Sequence, residues 1–219
     1  MNSRTEVRGI GRDRSILWRR AVLFGVPFLY VVLGLLHPAN PELGDETGLF
    51  IGLHYAQLFL IGGLAALFWL LVEGLEGRPA SVVRALIVPF VIVYTAVDSV
   101  LGIAWGTATQ KVNGLPVADQ PAAGRLIDAL LEPAPLGYVL YFGAGLLWLA
   151  VLLAVVTALW RKAPRPALAL MAIGAIVFTL GHARPVGPIG MTLVLAGIAW
   201  LELRPRRQAV EDAASPQTA

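Results

Sequence analysis

Six long apolar stretches dominate this chain, and nothing else in the sequence restricts its fold as strongly. They run at about 21–36, 49–72, 85–109, 136–160, 167–182 and 187–201. A helix that crosses a bilayer needs about 20 such residues. The runs are continuous and lack the alternation of barrel strands. A helix satisfies its own backbone groups in lipid, so each stretch is predicted to be helical. The expected fold class is therefore all-α, an integral membrane bundle of six transmembrane helices over residues 16–205. Segments 1–15 and 206–219 are polar and are expected to be mobile cytoplasmic ends.

Composition agrees with a lipid environment. Hydrophobic residues make up 57% and charged residues 14%, against about 25% charged in soluble proteins. So little polar surface cannot coat a water-soluble globule of this size. The net charge of +3 comes from basic residues beside apolar runs, and no nucleic-acid signature is present. Cysteine is absent, which excludes disulfides, thiolate metal sites and cysteine nucleophiles.

Basic residues set the expected orientation. With the N-terminus inside, fourteen of the seventeen Lys and Arg residues fall in inner segments; only Lys111, Arg125 and Arg184 fall outside. That bias predicts both termini in the cytoplasm. Trp18, Trp69, Trp160 and Trp200 then lie at the inner interface, and Tyr55, Tyr138 and Tyr141 near the outer one. The expected location is a bacterial plasma membrane. The first stretch follows a basic region as a signal peptide would. It ends in His37-Pro38-Ala39-Asn40 without a small-x-small cleavage site, so it reads as a retained helix. The longest loop, at 110–135, holds a possible short amphipathic helix from Arg125 to Leu131.

The residues that do not belong in lipid are the informative ones. His37, His54 and His182 are the only histidines, and Asp98 is the one acidic residue deep inside a stretch. At 1.5 Å per residue, His37, Asp98 and His182 lie roughly 20–24 Å above the inner ends of their helices. His54 lies about 8 Å below its outer end. All four reach a similar depth under the outer face. Their helical neighbours are small or hydroxylic apart from Phe178: Tyr94, Thr95, Gly102, Gly106 and Thr109 around Asp98; Gly174, Ala175, Phe178 and Thr179 around His182; Tyr30 and Gly34 around His37. Such residues mark helix contacts in lipid, so the polar groups are expected to point into the bundle. Gln57 shares a face with His54. A bare carboxylate at mid-bilayer costs roughly 2.5–3.5 kcal/mol. Asp98 therefore needs a partner, for which Arg184 is the first candidate and Asp45 and Glu46 are others.

Four chemistries suit this set. Three imidazoles and a carboxylate can ligate a divalent metal such as Zn or Fe. In that reading His37, His54, His182 and Asp98 form the site, Asp98 is a fourth ligand or general base, and Arg184 holds an anionic substrate or lipid. Two histidines on facing helices could instead hold haem b, whereas covalent c-type haem is excluded because no C-x-x-C-H is present. Proton-coupled transport of a small solute could use Asp98 and a histidine, for which six spans would call for a homo-oligomer. The fourth reading is a structural or assembly role, with the polar groups fixing helix packing. The inventory of three His and one Asp is similar to that of membrane hydrolases of the ceramidase and progestin-receptor-like superfamily. The paired histidines on one late helix and the seven-span layout of those enzymes are missing here, and no residue roles carry over.

Overall fold

The computed structural model describes residues 16–38, 46–131 and 135–214. Among them there are helices and no strand. Helix α1 is Ile16–Leu36, α2 is Thr47–Leu71 and α3 is Arg78–Asn113. Helix α4 is Gln120–Leu131, α5 is Pro135–Leu159, α6 is Arg165–Leu180 and α7 is Val186–Ala214. Each apolar stretch has its helix, and α4 extends the short loop helix expected from Arg125 by one turn or more. The expected polar end at 1–15 lies outside the described residues; α7 continues through Ala214, into the other.

Among the described residues, five helices are long and apolar enough to cross a membrane: α1, α2, α3, α5 from Phe142, and α7 to Leu203. The sixth, α6, has 16 residues, about 24 Å of helix against a hydrocarbon core of about 30 Å. It is set against α7 in antiparallel fashion along its length. A Cβ on Gly197 would stand 2.7 Å from the Ala167 carbonyl oxygen, and one on Gly174 would stand 2.6 Å from the Gly190 carbonyl oxygen. Only hydrogen at these positions lets the two backbones approach so closely, which is how small residues stabilise helix pairs in lipid. Elsewhere α1 packs on α2 and α7, and α3 on α2 and α5.

One end of the bundle is tied by charge. Arg19 Nη1 donates to the Leu70 carbonyl oxygen at 3.0 Å and to Glu73 at 3.1 Å, and Nη2 donates to Glu202 at 2.9 Å. This joins the start of α1 to the ends of α2 and of the apolar part of α7. Arg84 closes the α2–α3 turn by donating to the carbonyls of Val72 at 3.2 Å and Leu75 at 2.9 Å. Its guanidinium lies over the Trp69 ring at 5.6 Å. Gly74 and Gly77 take φ of +69° and +97° in that turn, a backbone region that glycine enters without steric cost. Trp18, Trp69, Trp160 and Trp200 are all exposed. The side chains of Tyr138 and Tyr141 lie outside the described residues.

The middle of the bundle is apolar and closed. Phe68, Phe90 and Trp148 are buried together with Leu64, Leu67 and Leu152. Ring centroids stand 5.3 Å apart for Phe68–Phe90, 5.8 Å for Phe68–Trp148 and 4.8 Å for Trp148–Phe178. Trp148 Nε1 donates to the Ala175 carbonyl oxygen at 3.2 Å, so its one polar atom is satisfied. These rings form a floor across the bundle.

Two substitutions test this packing. Gly174→Val places a side chain against the α7 backbone and is expected to lower the melting temperature in detergent by several degrees, an overpacking cost of about 1–3 kcal/mol. Gly62→Ala, with nothing within 4 Å of its Cβ position, should leave it unchanged. Arg19→Ala should cost about 1 kcal/mol through its partly buried carbonyl acceptor and two carboxylates. Equal melting temperatures for all three variants would contradict the packing described.

Candidate metal centre

The polar residues gather at the end opposite Arg19. His37 follows the last turn of α1, where the chain turns to extended backbone with ψ of 123°. Pro38, which comes next, disfavours continued helix at His37. His54 projects from the second turn of α2, and His182 follows the C-terminus of α6. Edge-to-face contacts join them: the His37 ring is 5.2 Å from His54 and 5.1 Å from His182, centroid to centroid. One ring nitrogen from each histidine lies within 4.8 Å of the others.

Two of the rings are oriented by their own backbone. The Nδ1 of His37 is 2.8 Å from the Pro38 carbonyl oxygen, and that of His54 is 2.9 Å from the Phe50 carbonyl oxygen. A carbonyl only accepts, so the neutral imidazole carries its proton on Nδ1 in each case. The lone pair is left on Nε2. This is the usual way in which a metal-binding histidine has its tautomer and ring plane set. The Nε2 of His37 is buried and has no hydrogen-bond partner.

Helix α3 makes room for the cluster. Between Asp98 and Ala104 it widens to a π-helix, a distortion frequent at functional sites. Within that segment, a Cβ on Gly102 would fall inside the His54 imidazole. One turn on, a Cβ on Gly106 would stand 2.9 Å from both Phe50 and Ile51. Glycine at both places lets the π segment lie against the α2 face that carries Phe50 and His54. Phe50 and Trp105 complete an aromatic wall, with centroids 4.2 Å apart for Phe50–His54 and 5.6 Å for Phe50–Trp105.

A chamber of about 590 Å³ lies beside the histidines. His37, His54 and His182 line it, as do Asp98, Gln57, Tyr30 and Tyr94. Three buried polar atoms without a hydrogen-bond partner belong to its lining: Tyr30 Oη, His37 Nε2 and Asp98 Oδ2. The aromatic floor closes it below, where Trp148 and Phe178 serve as both floor and lining.

The candidate residues thus separate into groups. His37, His54 and His182 come together as a donor set that could hold a metal ion. Asp98 shares the chamber but is not part of that set. Arg184 is exposed, does not line the chamber, and leaves Asp98 Oδ2 unpartnered. The cis peptide that follows it begins the turn into α7. Glu46 precedes α2 and accepts from the Phe50 amide at 2.9 Å through its carbonyl. Asp45 lies outside the described residues. Thr95, expected to face inward beside Tyr94, is exposed.

A haem held by two axial imidazoles needs a flat slot between them, and rings in edge contact at 5.1–5.2 Å leave none between His37 and either partner. A bare ion suits the arrangement better. Three nitrogens around tetrahedral Zn, each at about 2.0–2.1 Å from the ion, stand about 3.4 Å apart. The rings would need to close by about 1.4 Å at most from the separation seen here.

Sequence reasoning passed over Phe50 and Trp105. Both were within reach of it. Phe50 lies four residues before His54, and Trp105 lies seven after Asp98, so each shares a face with a polar residue already singled out.

Comparisons with protein families, curated proteins and solved structures match nothing to this chain.

Gly102→Ala isolates the seating of His54. It is expected to displace the imidazole and to lower the melting temperature by an amount equivalent to about 1–3 kcal/mol. Gly52→Ala, whose Cβ meets nothing within 4 Å, is the matched control and should melt like the wild type.

Proposed function

We propose that this chain is a metal-binding protein of the plasma membrane, with six spans and both termini in the cytoplasm. In this reading His37, His54 and His182 hold a divalent ion, Zn or Fe, beneath the outer headgroups. The observation that carries it is the donor set itself. Three imidazole nitrogens lie within 4.8 Å of one another, and two of the rings have Nδ1 against a backbone carbonyl. Three protein ligands leave a position open, as catalytic zinc sites do. Asp98 stands outside the donor set but within the chamber, which favours a role as a base over a fourth ligand. Arg184, exposed two residues beyond His182, is suited to an anionic substrate or headgroup arriving at the rim.

Two other readings fit less well. A network that served only to fix helix packing would satisfy its polar atoms, and here three buried ones are left over. Proton-coupled transport needs a polar route to the opposite face. Below the chamber stand Phe68, Phe90, Leu64 and Leu67, all buried and apolar.

Metal analysis of protein purified in detergent tests the proposal. About one Zn or Fe per chain is expected. The double variant His37→Ala/His54→Ala should bind at least ten-fold less, whereas Asp98→Asn should keep its metal within about two-fold. Wild-type protein that is metal-free, and that takes up neither Zn²⁺ nor Fe²⁺ on titration, would refute it.

A further inference from the structure

The chamber is larger than an ion requires, and some of its walls face outward. Its volume of about 590 Å³ falls in the range of small-molecule sites, roughly 300–1,000 Å³. A water molecule takes about 30 Å³, so an ion with its own water fills little of it. The polar side chains are the histidine cluster, Asp98, Gln57, the two tyrosines, Thr179, Trp105 and Trp148, and Thr179 and Trp148 already donate to the Ala175 carbonyl oxygen. Much of the remaining lining is aliphatic or aromatic.

Three of the apolar lining residues are also surface residues. Phe142 and Leu146 on α5 are 59% and 62% exposed, and Leu180 at the end of α6 is 77% exposed. In the six-span arrangement proposed above, an apolar side chain this exposed meets acyl chains, not water. Where such residues line the chamber, their side chains alone stand between it and the outer surface.

We propose that the chamber admits an amphipathic, lipid-soluble molecule sideways from the bilayer, through a mouth framed by Phe142, Leu146 and Leu180. The molecule has an oxygen-bearing head and an apolar body. The head reaches the histidine cluster, Asp98 and Tyr30, and the body lies along the apolar walls towards the mouth. The proposal rests on the metal reading for the chemistry at its polar end. Both halves of the ligand follow from the lining. A pure hydrocarbon would leave Tyr30 Oη and Asp98 Oδ2 unpaired, which is costly in a dry site. A strongly hydrated solute would have to shed its water to pass an aliphatic mouth.

Binding of radiolabelled oleic acid, oleyl alcohol and hexadecane to the full chain in nanodiscs tests this. Saturable binding is expected for at least one of the two oxygen-bearing probes, with hexadecane at least ten-fold weaker. Leu146→Trp/Leu180→Trp places bulk at the mouth on side chains that already face lipid. It should weaken binding of the same probe at least ten-fold while metal content stays at the wild-type level. If the double variant loses its metal, the two single variants replace it, because the donor set forms only in the folded chain. Hexadecane binding as tightly as the oxygen-bearing probes would overturn the proposal, as would unchanged binding in the mouth variants. Either result with metal present leaves the metal centre standing. Wild-type protein without metal that still binds a probe through the mouth would retire the metal centre alone and support the entrance.

Discussion

A polar atom inside an apolar bundle has no water to turn to, and every feature of the site follows from how that demand is met. The backbone meets it by being helical. Trp148 meets it by donating to the Ala175 carbonyl. His37 and His54 meet half of it with Nδ1 against a carbonyl of their own helix or turn. The Nε2 of His37 is left over, in a cluster where one ring nitrogen from each of three histidines lies within 4.8 Å of the others. Tyr30 Oη, His37 Nε2 and Asp98 Oδ2 are the buried atoms left unpaired, and all three residues line the chamber.

Glycine and the π segment make that convergence possible. A regular α-helix over Asp98–Ala104 with a side chain at position 102 would hold α3 away from His54. Extra width in the helix and a missing Cβ together let it close in. The same device recurs between α6 and α7, where Gly174, Gly190 and Gly197 bring two backbones together. Because α6 ends beside the start of α7, this pairing carries His182 to the level of His37. The short helix is thus held by packing more than by its reach across the bilayer.

The two ends of the bundle do different work. Arg19 joins three helices through a carbonyl and two carboxylates, and Arg84 closes the adjacent turn. At the far end the groups that gather are three imidazoles. Between the ends lies the aromatic floor of Phe68, Phe90 and Trp148.

Much of this was legible in the sequence. Apolar runs near 20 residues long announce helices in lipid because no other backbone arrangement satisfies its own hydrogen bonds there. The common depth of His37, His54, Asp98 and His182 follows from helix rise alone. What the sequence could not show is which side chains meet, because a face is known only to within the rotation of its helix. Tertiary structure decided that three imidazoles touch and that Asp98 stands apart from them, that Arg184 turns outward, and that Phe50 and Trp105 wall the site. The π segment and the double placement of Leu146 and Leu180, lining the chamber and exposed outside it, also belong to the tertiary structure. Both depend on how neighbouring helices close around a space, and a linear pattern of hydrophobicity carries no record of spaces.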